Sequence, residues 1–342
     1  MERSLLDQFR GAIAGAVLGL ARQPSPYGWI ERFSLDGEPN WERSPQPIPQ
    51  PSSPGQRIRT ILHDLTHALI HHQDALTVVE SHGQALTERF TAPDEVALAL
   101  LPVLLFWHDE PQRLRHYLHP LVAAIAPPSC LESVLLIGQT LSHLLTSSLT
   151  PPQLVPQLMA QLHLNPETSH SETSPLGQQL RQIQTWLETS PGLAGALASG
   201  RSPQPVSPAP PLAQEPDSWP TVLALYSFLC TPDDFKLSQQ RISTALAPGG
   251  PNPSVAGLVG ALVGAYRGDR SLPLEGHRAL AIAANHGLDI RRLATQLFAA
   301  WAGVHQPQML ASSDWAVSVS AIAPALRPLP GLVDNSLLDD RP

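Results

Sequence analysis

The stretch Ala256-Gly257-Leu258-Val259-Gly260-Ala261-Leu262-Val263-Gly264-Ala265-Tyr266 decides the fold class. Its apolar residues recur at three and four positions, which is helical spacing, and Gly260 and Gly264 form a Gly-x-x-x-Gly pair. On a helix flanked by polar loops such a pair marks a close crossing with another helix. Outward from it the same spacing recurs. Leu5, Phe9, Ile13, Ala16, Val17 and Leu20 form a stripe near the start. Further stripes run through 58–79, 96–107, 114–125, 131–145, 180–187, 222–229, 235–246, 277–284 and 290–304. Strict alternation of apolar and polar residues is almost absent, so the pattern predicts about eleven helices and an all-α fold.

Composition narrows the function classes. The 342 residues carry 42% hydrophobic side chains, enough for a sizeable core, but only 15% charged ones. The net charge of −8 argues against a nucleic-acid binder working through a basic surface. Cys130 and Cys230 make no CxxC pattern, which excludes a disulfide scaffold and a thiolate zinc site. The apolar run 11–21 follows a segment that carries Glu2 and Asp7, has no small-x-small cleavage site after it, and is too short to span a bilayer. These features lead us to expect a cytoplasmic protein with no membrane span.

Proline is abundant, 37 residues, and clusters in 39–55 and 202–220, where no helical period survives. Proline lacks a backbone donor and pushes its predecessor out of helical space, so both stretches are expected to be proline-rich loops. The flanking helices do not differ in composition, which favours insertions within one helical domain over 1–323. Residues 324–342 read as a flexible C-terminal tail. A Pro-x-x-Pro spacing within 45–54 is read as a solvated loop.

Three segments carry a family resemblance. Arg10-Gly11-Ala12-Ile13-Ala14-Gly15-Ala16-Val17-Leu18-Gly19 is similar to the first helix of the ADP-ribosylglycohydrolases. Leu101-Pro102-Val103-Leu104-Leu105-Phe106 with Asp109-Glu110-Pro111 resembles a central segment of that family. Residues 224–268, with Thr231-Pro232-Asp233-Asp234-Phe235, Gly249-Gly250 and the opening stretch, are similar to its closing signature. The resemblance implies a compact, all-helical orthogonal bundle, covers about 5–125 and 220–305, and leaves 126–219 unplaced.

It also implies a site for two magnesium ions held by acidic residues, because magnesium demands hard oxygen ligands. The matched positions are not acidic. Leu20 stands where an aspartate is expected, and Gln23 where a glycine is. The Thr-Asp-Asp triplet falls on Thr60-Ile61-Leu62, and the aspartates of the Gly-Gly-Asp-x-Asp-Thr loop on Pro251 and Pro253, with Ser254 for the threonine. The expectation is a pseudoenzyme without a metal cofactor, keeping Thr60, Gly249, Gly250 and Ser254 as ligand-binding remnants. Its partner would be an ADP-ribose-like nucleotide or a protein. The alternative is an active hydrolase removing ADP-ribose from a modified protein or small molecule.

Other patterns carry less. His63-Asp64-Leu65-Thr66-His67 followed by His71 places three imidazoles on one helix face in a zincin-like spacing. Asp64 is short for the base role and no third ligand is pinned, so these are weak metal candidates. If the triplet register slips, Asp64 or Asp74 becomes available. Glu31 beside Arg32 reads as an exposed ion pair, and Asp233 and Asp234 as helix caps. Ser227 and Cys230 lie in no nucleophile motif.

Overall fold

The computed structural model describes residues 4–21, 54–71, 75–85, 90–146, 151–163, 175–189, 218–245, 252–285 and 289–304. Among them are fourteen α-helices and no strand. In chain order they are α1 (Leu5–Ala21), α2 (Pro54–Ile70), α3 (Ala75–Ala85), α4 (Pro93–Ala99) and α5 (Leu101–Phe106). Next come α6 (Pro111–Ile125), α7 (Leu131–Thr146), α8 (Pro151–His163), α9 (Pro175–Thr189) and α10 (Trp219–Cys230). The last four are α11 (Phe235–Ala245), α12 (Pro253–Arg267), α13 (Leu274–Asn285) and α14 (Ile290–Trp301).

The glycines of the opening stretch do what their spacing predicts. Helix α12 runs antiparallel to α1, with Gly264 against Gly11, Gly260 against Gly15, and Ala256 and Gly257 against Gly19. A methyl group on Gly11, Gly15, Gly19, Gly260 or Gly264 would overlap the backbone of the other helix. Both helices are enclosed almost throughout, α12 from Ser254 to Ala265 and α1 from Gly11 to Ala21 on every side. Buried Gln8 fastens the far end of the pair by donating to the carbonyls of Ala265, 2.8 Å away, and Leu144, 3.1 Å away. Around them α12 packs on α4, α7, α10 and α11, and α1 on α14.

Local chemistry sets the ends of α12. Asn252 caps the start by accepting from the Ser254 amide at 3.0 Å, and Pro253 occupies the first turn, where its missing N–H is not needed. Gly268, at φ 84°, ends it in a conformation that costs a side chain strain.

The structure revises several boundaries. The stripe 96–107 is two helices, broken at Leu100, because Pro102 has no N–H for the carbonyl of Leu98. The stripe 58–79 likewise divides into α2 and α3. Pro54 and Gly55 open α2, and Trp219 and Pro220 open α10, so both expected proline-rich loops end earlier than composition suggests. Proline's fixed φ suits the first turn of a helix. The remainders of those loops and the 324–342 tail lie outside the described residues. Helices α8 and α9 occupy part of the stretch that the resemblance left unplaced. No helix among the described residues is long and apolar enough to cross a membrane.

Overpacking a core ordinarily costs about 1–3 kcal/mol, and here backbone rather than a side chain would have to move. Gly260→Val is therefore expected to lower stability by at least about 3 kcal/mol in denaturant unfolding. Gly55→Ala is the control: it sits in α2 with open space around an added methyl group, and should raise stability by about 0.5–1 kcal/mol.

Candidate functional site

At the start of α12, opposite the end fastened by Gln8, one carboxylate is taken entirely out of water. Asp94, in the first turn of α4, is 0% exposed. Its Oδ2 accepts from the Ser254 hydroxyl and from Asn252 Nδ2 at 3.2 Å. Ser254 Oγ also lies 2.6 Å from Asn252 Oδ1, so its single proton is shared between two acceptors. Asp94 Oδ1 is buried with no hydrogen-bond partner among the described residues. Burial pushes the Asp94 carboxyl above the ordinary carboxylate range, against the opposing pull of Ser254, Asn252 and nearby amides. Next to it, half-buried Glu95 is raised by burial and by the charge of Asp94, and lowered by Arg57. Arg57, on α2, lies with its guanidinium over the Phe90 ring, 5.5 Å from the centroid. Thr60 is one turn further along α2 and exposed.

Beneath this polar group the floor is aliphatic. Leu20 and Leu98 both reach Gly257, one turn into α12 from Ser254. Leu20, Ile61 and Leu62 are all buried in the continuous apolar core. Pro253 is exposed. Gly249, Gly250, Pro251, Gln23, Glu31 and Asp74 lie outside the described residues.

The family model for ADP-ribosylglycohydrolase matches residues 21–307, most of the chain. The chain belongs to the ADP-ribosylglycohydrolase family. A solved structure titled "ADP-ribosylglycohydrolase-related protein complex" is similar at a TM-score of 0.51 and 17% identity, covering 87% of this chain and 97% of that one. At that identity the likeness concerns the fold. No curated protein matches the chain.

Of the residues matched to the family's site, the structure therefore places Ser254 in a hydrogen-bonded centre and Thr60 on the surface of the adjoining helix. It adds Asp94, Glu95, Asn252 and Arg57, which the sequence did not single out. The available signal was Pro93-Asp94-Glu95, a proline followed by two acids at a helix start, which reads as ordinary capping until the partner from α12 is seen.

The histidine stripe forms as spaced. His63 and His67 rings are 4.5 Å apart, and His67 and His71 rings 6.1 Å. Asp64 is engaged by His63 and by His82 of α3, each at 3.0 Å. Burial and the two flanking imidazoles push the His67 pKa down. Among the described residues no group of three or more His, Cys, Asp or Glu side chains is arranged to hold a metal ion. The expected acidic caps divide: Asp234 accepts from the Leu237 amide at 3.0 Å, whereas Asp233 pairs with Arg267 of α12 at 3.1 Å, because the chain turn points it across to that helix.

The raised Asp94 pKa carries a sign. A carboxyl that binds its proton more tightly when folded stabilises the protein at low pH, and that contribution is lost as pH rises through the folded value. Asp94→Asn removes the buried charge while keeping an acceptor for Ser254. It is expected to raise stability at pH 7 by about 1–3 kcal/mol. The advantage should shrink to nothing as pH falls toward 3.8, the ordinary aspartate value. Thermal melts of both proteins across that range check it.

Proposed function

We propose that this family member is non-catalytic and binds an ADP-ribose-like nucleotide beside the Asp94–Ser254 centre, without a magnesium pair. The observation that carries this reading is the burial of Leu20, Ile61 and Leu62 at the positions matched to the family's carboxylates. A magnesium ion needs several hard oxygen ligands in near-octahedral geometry, and aliphatic side chains committed to the core supply none. What is left at the matched positions is two hydroxyls, those of Thr60 and Ser254, and the second is already hydrogen-bonded to Asp94. The donor set does not fit the metal pair.

The polar groups that remain suit recognition better than bond cleavage. Asp94 fixes the start of α12 through Ser254 and Asn252, and with it the point from which the Gly249-Gly250 segment departs. Thr60, Arg57 and Glu95 then offer a hydroxyl, a guanidinium and a carboxyl on neighbouring turns of α2 and α4 to a ligand rich in hydroxyl and phosphate oxygens.

The rival is an active hydrolase, favoured by one observation: Asp94 and Glu95 are both held above the ordinary carboxylate range by burial, which suits proton donation. Incubation with magnesium and an ADP-ribosylated protein separates the two. The expected result is no release of ADP-ribose above blank, and measurable release establishes the hydrolase. Calorimetry with ADP-ribose in a chelator should show saturable binding that Arg57→Ala weakens about tenfold, a loss of about 1.4 kcal/mol. A flat titration at millimolar ligand would leave a protein-interaction role.

A further inference from the structure

The histidine stripe of α2 begins more than one turn beyond Arg57 and is separate from the Asp94 centre. His63, Asp64 and His67 are half-buried on the helix surface, where a hydrated ion can reach them from solvent.

Asp64 sets the chemistry of the first ring. A carboxylate only accepts, so the His63 Nδ1–H and the His82 Nε2–H both donate to it, each at 3.0 Å. In a neutral imidazole the other nitrogen then carries the lone pair, which for His63 is Nε2. A carboxylate paired with one ring nitrogen is the arrangement that orients a histidine whose second nitrogen holds a metal ion. Asp64 is itself tied to α3 through His82, so the His63 ring is steadied from a second helix. Among the described residues no side-chain hydrogen bond engages His67.

Ring separations decide which histidines can share an ion. With a metal–nitrogen bond of about 2.0–2.1 Å, and roughly 1.1 Å more to the ring centre, each centroid stands about 3.2 Å from the metal. Two imidazoles held at an angle of about 90–110° around the metal then have centroids about 4.5–5.2 Å apart. His63 and His67 are 4.5 Å apart. His67 and His71, at 6.1 Å with 14° between their planes, would need an angle of roughly 145°, so the three-imidazole spacing of the sequence reduces to a pair.

We propose that His63 and His67 chelate one transition-metal dication of the nickel, copper or zinc class, with water completing its coordination and Asp64 orienting His63. Imidazole suits these metals, whereas magnesium and calcium take oxygen ligands. Two protein ligands suffice for such a site, so it needs no cluster of three or more acidic, thiol or imidazole side chains, and among the described residues none is arranged for a metal. Chelation across one turn clamps α2, the helix that also carries Arg57 and Thr60.

Titration of the full chain with nickel chloride, followed by calorimetry and thermal melts, tests this. Nickel is expected to bind saturably and to raise the melting temperature, and magnesium at the same concentration to do neither. His63→Gln and His67→Gln should each weaken nickel binding at least about tenfold, because a single imidazole loses the chelate. Asp64→Asn should weaken it about tenfold, the usual minimum for losing such an orienting partner. His71→Gln should bind as tightly as the native chain. A readout that does not depend on variants folding comes from zinc on the native chain, which should shift the ring resonances of His63 and His67 more than those of any other histidine. The proposal is overturned if nickel gives no saturable binding at millimolar metal, or if His63→Gln, His67→Gln or Asp64→Asn binds as the native chain does. It is equally overturned if His71→Gln weakens binding as much as His67→Gln, or if the largest zinc shifts fall on other histidines.

Discussion

Helices α1 and α12 meet backbone to backbone, and the surrounding packing is arranged about that contact. With glycine at four-residue intervals on both sides, two helices approach more closely than side chains would allow. Every turn then places a peptide unit against a peptide unit. Dispersion depends steeply on separation, so the gain from such an approach is spread over many atom pairs. The geometry is correspondingly intolerant, since there is no flexible side chain to move aside. Once the pair is fixed, α4, α7, α10, α11 and α14 have a rigid apolar surface to cover.

The two ends of that pair have opposite characters. At one end Gln8 satisfies two carbonyls with a neutral amide, the inexpensive way to bury polarity. At the other, Asp94 is an acid enclosed with one oxygen unpartnered, beside Glu95 and above a floor of Leu20 and Leu98. A buried, incompletely satisfied carboxyl destabilises a fold, so Asp94 is an unfavourable element within an otherwise apolar core.

Much of the fold could be read from the sequence, because glycine spacing and three-and-four periodicity are local properties. A close crossing at α12 was legible in Gly260 and Gly264, but that α1 is the partner was not, because glycine spacing marks a tight contact without naming the other helix. The break at Leu100 was harder to see, since apolar spacing continues across it and only Pro102 marks it. Helix α8 carries prolines at 151, 152 and 156 and looks like a loop in a chain otherwise full of proline-rich loops. The site was legible at Ser254, whose neighbours carry a motif. Asp94 was not, because its partner lies 160 residues away and its capping position gives it an innocent explanation.

The pairing of Gly15 with Gly260 also constrains how the chain is made. A ribosome adding about 5–20 residues per second must synthesise about 250 residues after α1 before its partner emerges, an interval of roughly ten to fifty seconds. During that time the first helix, almost entirely apolar, has no permanent surface to cover it. Native assembly is therefore tied to completion of the C-terminal third of the chain. A chain arrested before α12 would expose the glycine-lined face of α1 and become a substrate for chaperones or for association with its own kind.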